Sequence, residues 1–236
     1  MNNKFIFLAI PLAVLILMPS CKFFESVKIN GVKITKHTKW QNIIDDYSDR
    51  SQMEAIRYKA EMLLLTSRFD ELDAMAAQYR ASRQKFKNGE WALNVFYSGL
   101  SHYLLQKDGQ VENWEVRLSQ IREWVKARPN SVTARVALSE CLVGYAFAGR
   151  GYGYANTVSE DQRRVFNERN LEAQSVLNEF AAMRDACPQW RAASMRFHGQ
   201  DWTREKFLEV FQEAIQFDPE FSMYYFRTAI VLMPRW

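Results

Sequence analysis

Apolar residues recur three and four positions apart from about Ser51 to Leu232, and this period constrains the fold more than any other feature of the chain. Leu72, Met75, Ala76 and Tyr79 form one stripe, and Trp114, Leu118, Ile121 and Val125 form another. Leu138, Cys141, Leu142 and Tyr145 make a third, and Phe166, Ala173, Leu177 and Phe180 a fourth. At 3.6 residues per turn each stripe is one face of a helix that must bury itself against a neighbour. Ser51-Gln-Met-Glu54 and Thr157-Val-Ser-Glu160 have the spacing of capping boxes and mark two helix starts. Asn88-Gly89 and Arg128-Pro129 break the pattern, and Asp218-Pro219 sits where an N-cap and a first-turn proline open the last helix, Glu220 to Leu232. The count is about nine helices, the third running from about Glu90 to Leu105. With only 9 Gly and 6 Pro in 236 residues, the composition argues against a turn-dense β-sandwich, and an all-α fold is expected.

A weaker period lies over the first. Phe207, Phe211, Ala214 and Pro219 have the spacing of the second helix and closing proline of a tetratricopeptide unit. Val176, Phe180, Met183 and Pro188 repeat it, with the closing prolines 31 residues apart. Arg117, Ile121 and Trp124 before Pro129 are a fainter copy, and Arg191, Ser194, Met195 and His198 do not match a first-helix signature. The expectation is a tetratricopeptide-like α/α helical repeat array with degenerate repeats; an irregular helical bundle is the alternative.

The N-terminal segment follows different rules. Lys4 precedes an apolar run, Phe5 to Met18, shorter than a bilayer span and ending in Pro19-Ser20-Cys21. This resembles a bacterial lipoprotein signal with Cys21 as the acylated residue, though Met18 and Pro19 depart from the preferred pattern. A plain secretion signal or an uncleaved anchor are the alternatives. In lipoproteins of this type, Lys22 after the cysteine is compatible with transport to the outer membrane. Residues 1–20 are therefore assigned as signal peptide, 21–50 as a lysine-rich tether and 51–236 as the helical-repeat domain. Val27 to Ile34 alternates around Asn30-Gly31, which predicts a short β-hairpin within the tether. The location that follows is the bacterial cell envelope, membrane-anchored and facing the periplasm or the cell surface.

That division explains the pI of 8.9. Setting aside Lys4 and the five tether lysines from 31 basic residues, and Glu25 from 27 acidic ones, leaves 25 against 26 from Trp40 onward. The basic excess belongs to the tether and suits an anionic membrane surface better than nucleic acid.

Chemical motifs are scarce. His37, His102 and His198 stand alone, without metal-ligand spacing, so no metal or cofactor is expected. Gly149-Arg-Gly151-Tyr-Gly153-Tyr154 follows a helix rather than a strand and so is no phosphate loop. Cys141 and Cys187 read as separate buried thiols, a disulfide between them being the alternative. Adjacent acids such as Asp45/Asp46 and Asp70/Glu71 point apart on a helix and are no acid/base pair.

Aromatic and Arg residues are the usual anchors of protein-binding surfaces. Trp190, Arg191, Trp202, Arg235 and Trp236 are candidates, as are Arg150, Tyr152 and Tyr154 of the Gly-rich loop, with core packing as the alternative role. Phe69-Asp-Glu-Leu-Asp73, the run to Glu90-Trp91, Ala148 to Ala155 and Leu232-Met-Pro-Arg-Trp236 resemble an uncharacterised bacterial family, the domain-of-unknown-function 4034 family, over roughly 62–236. The resemblance implies a helical, tetratricopeptide-like protein and carries no assigned reaction. Chains of that family continue past Pro-Arg-Trp, which implies that the last helix lacks a covering partner or that the chain is shortened. The expected function is non-enzymatic: an envelope-anchored helical-repeat protein that binds a protein or peptide. An envelope enzyme on an α/α scaffold, acting on glycan or peptide, and a purely structural lipoprotein are the alternatives.

Overall fold

A computed structural model describes residues 26–29, 32–35, 49–101, 114–151, 157–201 and 203–233, with backbone alone at 26–35 and 198–201. Strands β1 (Ser26–Ile29) and β2 (Val32–Thr35) pair antiparallel with Ile29 opposite Val32. Everything else regular among the described residues is helical. The helices are α1 (Asp49–Leu65), α2 (Phe69–Ser82), α3 (Ala92–Ser101), α4 (Trp114–Ala127) and α5 (Val132–Arg150). They continue with α6 (Glu160–Asn178), a 3-10 helix (Ala181–Ala186), α7 (Pro188–Asp201), α8 (Arg204–Phe217) and α9 (Ser222–Leu232). The fold is all-α.

Local chemistry starts and stops these helices. Ser131 caps α5 by accepting the Ala134 amide at 3.0 Å. Ser159 and Gln162 form a reciprocal capping box at α6. The sequence placed that box two residues earlier, at Thr157, and placed another at Ser51, which lies inside α1 rather than at its cap. Asp218, expected to cap α9, is instead buried at the end of α8, and Phe221 takes the N-cap position. The 3-10 helix begins directly after Phe180, so the repeat copy through Phe180 and Met183 leaves α-helix before its closing proline. Pro188 is the first residue of α7, where its missing N–H costs nothing.

Packing follows an odd–even rule. α1 packs on α3, α3 on α5, α5 on α7 and α7 on α9, a continuous row of odd-numbered helices. Even-numbered helices flank it: α2 lies against α1, α3 and α5, α4 against α5, α6 against α5 and α7, and α8 against α7 and α9. Even-numbered helices touch through side chains: Phe69 of α2 stacks on Trp124 of α4 at 6.2 Å, and Arg122 of α4 pairs with Glu172 of α6 at 2.7 Å. This is the arrangement of an α/α repeat array. The α5 and α7 helices run parallel, since Glu140 and Phe147 of α5 meet Gln189 and Arg196 of α7 in the same order.

Two contacts set the tightness of the array. Gly99 of α3 lies so near α1 that a Cβ there would stand 2.5 Å from the Arg57 carbonyl oxygen. The start of α3 also meets the start of α9: Trp91 packs edge-on to Phe221 at 5.0 Å and donates its indole N–H to the Glu220 carbonyl at 2.9 Å. The start of α9 therefore folds back onto the start of α3. Trp91, Phe96, Tyr97, Trp124, Phe207, Phe221 and Tyr224 are almost wholly buried in this core.

Candidate interaction surface

Helix α9 explains why one face of the array differs from the rest. Ser222 to Leu232 contains a single charged residue, Arg227, and that residue points inward. A helix apolar on every side needs neighbours on every side. α9 has α7 and α8. Its remaining face carries Tyr225, Phe226, Ile230, Leu232 and Met233, with Phe226 60% and Met233 56% exposed. Phe217, at the end of α8, is also partly exposed, 38%.

Beneath this face lies a cluster of charges. Glu140, the one acid of α5, is 4% exposed and accepts three bonds: Gln189 Nε2 at 2.9 Å, Arg196 Nη1 at 2.7 Å and Arg227 Nη2 at 2.6 Å. Burial pushes the Glu140 carboxyl up, but Arg227 and Arg196 outweigh it and hold the group at about 2. Burial also pushes the Arg227 guanidinium down, to about 10, against the pull of Glu140. Both groups stay ionised at neutral pH, so one carboxylate faces two guanidiniums. A separate buried pair, Arg117 with Glu61, ties α4 to α1, and Arg117 also donates to the carbonyls of Gly99 and Leu100.

The candidates named from the sequence separate into three groups. Trp190 is 9% exposed and belongs to the core, so as placed it offers no open face. Arg191 is half-buried, pairs with Asp185 and lies 4.7 Å over the Phe217 ring. Arg150 ends α5, half-buried, 6.0 Å from the centre of the Phe166 ring. Cys21, Tyr152, Tyr154, Trp202, Arg235 and Trp236 lie outside the described residues. The patch on α9 went unrecognised, although Met-Tyr-Tyr-Phe…Ala-Ile-Val-Leu is a helix with no polar face. Glu140 was equally visible as the one acid in α5. Cys141 and Cys187 are both buried and are not joined by a disulfide, and the Cys187 sulfur stands 3.6 Å from the Tyr97 hydroxyl.

An open groove of about 600 Å³ runs between α2 and the α4–α5 turn, lined in part by Asp73, Arg80, Arg128 and Thr133. Its charges are engaged: Arg128 with Asp70, Ser131 with Asp73, and Arg80 with the Thr133 hydroxyl at 3.1 Å. Among the described residues no three His, Cys, Asp or Glu side chains gather as a metal ion would need. Among those residues, too, no helix is long and apolar enough to cross a membrane.

Comparison with known proteins adds one relationship. No curated protein and no solved structure matches the chain. Residues 57–220 match the model of a family described as a domain of unknown function, DUF4034, and the chain belongs to that family.

Proposed function

We propose that this DUF4034 protein is a non-enzymatic binding protein of the cell envelope, which holds an apolar segment of another protein against the outer face of α9. The observation that carries the reading is the uncharged patch of Tyr225, Phe226, Ile230, Leu232 and Met233 at the end of the odd-helix row. Scattered exposed apolar residues are ordinary on any protein, but a contiguous patch on one helix marks a surface that another chain covers. Charge repels an apolar partner, and the patch carries none.

The experiment is site-specific photo-cross-linking from position 226 in intact cells, followed by purification. One recurrent adduct, lost when Ile230→Glu is also present, supports the reading. An absence of adducts from position 226, with unchanged recovery of any co-purifying protein in Ile230→Glu, sinks it.

Attachment to a membrane through Cys21 is the second half of the proposal, and the lipobox-like sequence supports it. Cys21→Ala is expected to move the protein from membrane to soluble fractions. An unmodified mature N-terminus by mass spectrometry would refute the anchor and leave the binding surface standing.

A further inference from the structure

The charge cluster beneath α9 has more donors than acceptors. Glu140 satisfies Gln189 Nε2, one nitrogen of Arg196 and one of Arg227. Arg227 keeps Nε and Nη1, both buried, with no acceptor for either. A guanidinium is 9% exposed here only because Glu140 holds it, yet two of its donor nitrogens are left over. Buried polar groups in native structures are paired almost without exception, and buried charges are paired or cost heavily. The cluster as it stands is one negative charge short. A purely structural role would be served by one Arg for one Glu; the second Arg is surplus to it.

We infer that Arg196 and Arg227, gathered by Glu140 where α5, α7 and α9 meet, form a receptor for the carboxylate of a peptide. The planar fork of a guanidinium matches a carboxylate two bonds to two, which a point charge such as Lys does not. Arg196 gives the cluster its opening: its side chain is 26% exposed, whereas those of Glu140 and Arg227 are 5% and 10%. Phe147, 40% exposed, stands 5.7 Å from the Arg196 guanidinium and supplies an apolar wall beside that opening. Gln189 Nε2 donates to Glu140 at 2.9 Å and helps to fix the carboxylate that holds the two cations. Glu140 then has a positioning role. It holds two cations together that would otherwise repel, and it stays ionised at any pH at which a peptide carboxylate is charged. An arriving carboxylate, met at the exposed guanidinium of Arg196, brings the cluster to two charges of each sign.

The site rests on the cluster and not on the apolar patch, so cross-linking at α9 and the following titration fail independently. The test follows the Arg Nε–H resonances of the intact, nitrogen-15-labelled chain by NMR during titration with sodium acetate at ionic strength held constant by chloride. Saturable shifts of the Arg196 and Arg227 signals are expected, with at least tenfold weaker binding in Arg196→Gln and a partial loss in Arg196→Lys. N-acetylphenylalanine and N-acetylglutamate diamide, which carry no free carboxylate in the latter case, are then compared; the first should bind and the second should not. N-acetylglutamate α-amide, with its carboxylate on the side chain, distinguishes a side-chain source from a terminal one, and saturation by either supports the site. Because Arg196 sits at the edge, its variants should keep the wild-type backbone spectrum; if Arg196→Gln does not, Arg196→Lys carries the comparison. Shifts that rise linearly without saturating, or that are identical in wild type and variant, overturn the proposal.

Discussion

Gly99 shows how much one absent atom can decide. A methyl group there would lie 2.5 Å from the Arg57 carbonyl oxygen and 2.6 Å from its Cα, both backbone atoms that cannot step aside without moving α1. Gly99→Ala should therefore destabilise by about 3 kcal/mol, at the upper end of overpacking substitutions, in denaturant unfolding. Gly149 is the control. Its Cβ would meet Arg169 Nη1 at 2.7 Å, the far end of a flexible side chain, and Gly149→Ala should stay within about 1 kcal/mol of wild type. Glu140 gives a pH-dependent counterpart. Its folded-state value of about 2 lies below the usual 4.5, so its contribution is fully present above pH 4.5 and is lost as pH falls through 2. Over that window the unfolding free energy should drop by up to about 3 kcal/mol, and Glu140→Gln should flatten this part of the profile. A profile of unchanged slope in Glu140→Gln would assign the acid sensitivity to other carboxylates. The sequence marks Glu140 as the one acid of α5, but neither it nor Gly99 carries a sign of which residues face it.

Helices were legible because their stripes are written in spacing that survives without any neighbour. Their ends were less so, for a physical reason that differs from case to case. Ser51-Gln-Met-Glu54 fits a capping box, but α1 begins at Asp49, whose carboxylate accepts the Lys87 amide at 2.7 Å and so ties the helix start to a distant turn. At α6 two overlapping patterns compete, and Ser159 wins because Gln162 can reach back to the Ser159 amide at 2.9 Å. Asp218 was read as a cap from its neighbours, yet Arg83, 135 residues away, claims its carboxylate with two bonds of 2.8 and 3.0 Å. On α9 the sequence signal was present but its meaning depended on how many sides were already covered. Phe226 is 60% exposed, so Phe226→Glu should alter the unfolding free energy by no more than about 0.5 kcal/mol. The same substitution should abolish co-purification of the partner trapped from that face. Loss of binding together with a large loss of stability would mean that Phe226 packs inside the array.

The whole molecule is held in its curl by the α2–α3 connection against the α8–α9 turn. Arg83 adopts a left-handed conformation, φ 51°, uncommon for a residue other than glycine, and directs its guanidinium to Asp218. Lys85 pairs with Glu220 at 2.9 Å, and both cations lie about 5 Å over the Trp91 ring, at 4.8 and 5.0 Å. Asp218 is 5% exposed, so this is a partly desolvated contact rather than a loose surface pair. Asp218→Ala should cost about 1–3 kcal/mol. It should also let amides of α8 and α9 exchange hydrogen ahead of those in α1 and α3; a uniform loss of protection would mean that the array unfolds as one unit. Repeat arrays propagate stability between neighbours, and this tie adds a link between units that are not neighbours in sequence.

By itself the sequence determined the class of fold, the approximate number and extent of the helices, and membership in the DUF4034 family. It could do so because helical period, glycine and proline breaks and composition are local properties, carried by residues a few positions apart. Tertiary structure alone decided which helices form the inner row, that Trp190 belongs to the core, that Glu140 draws Arg196 and Arg227 together, and that α9 keeps one apolar face uncovered. Each of these depends on residues tens of positions apart meeting in space, and no spacing rule within a single helix encodes which partner arrives.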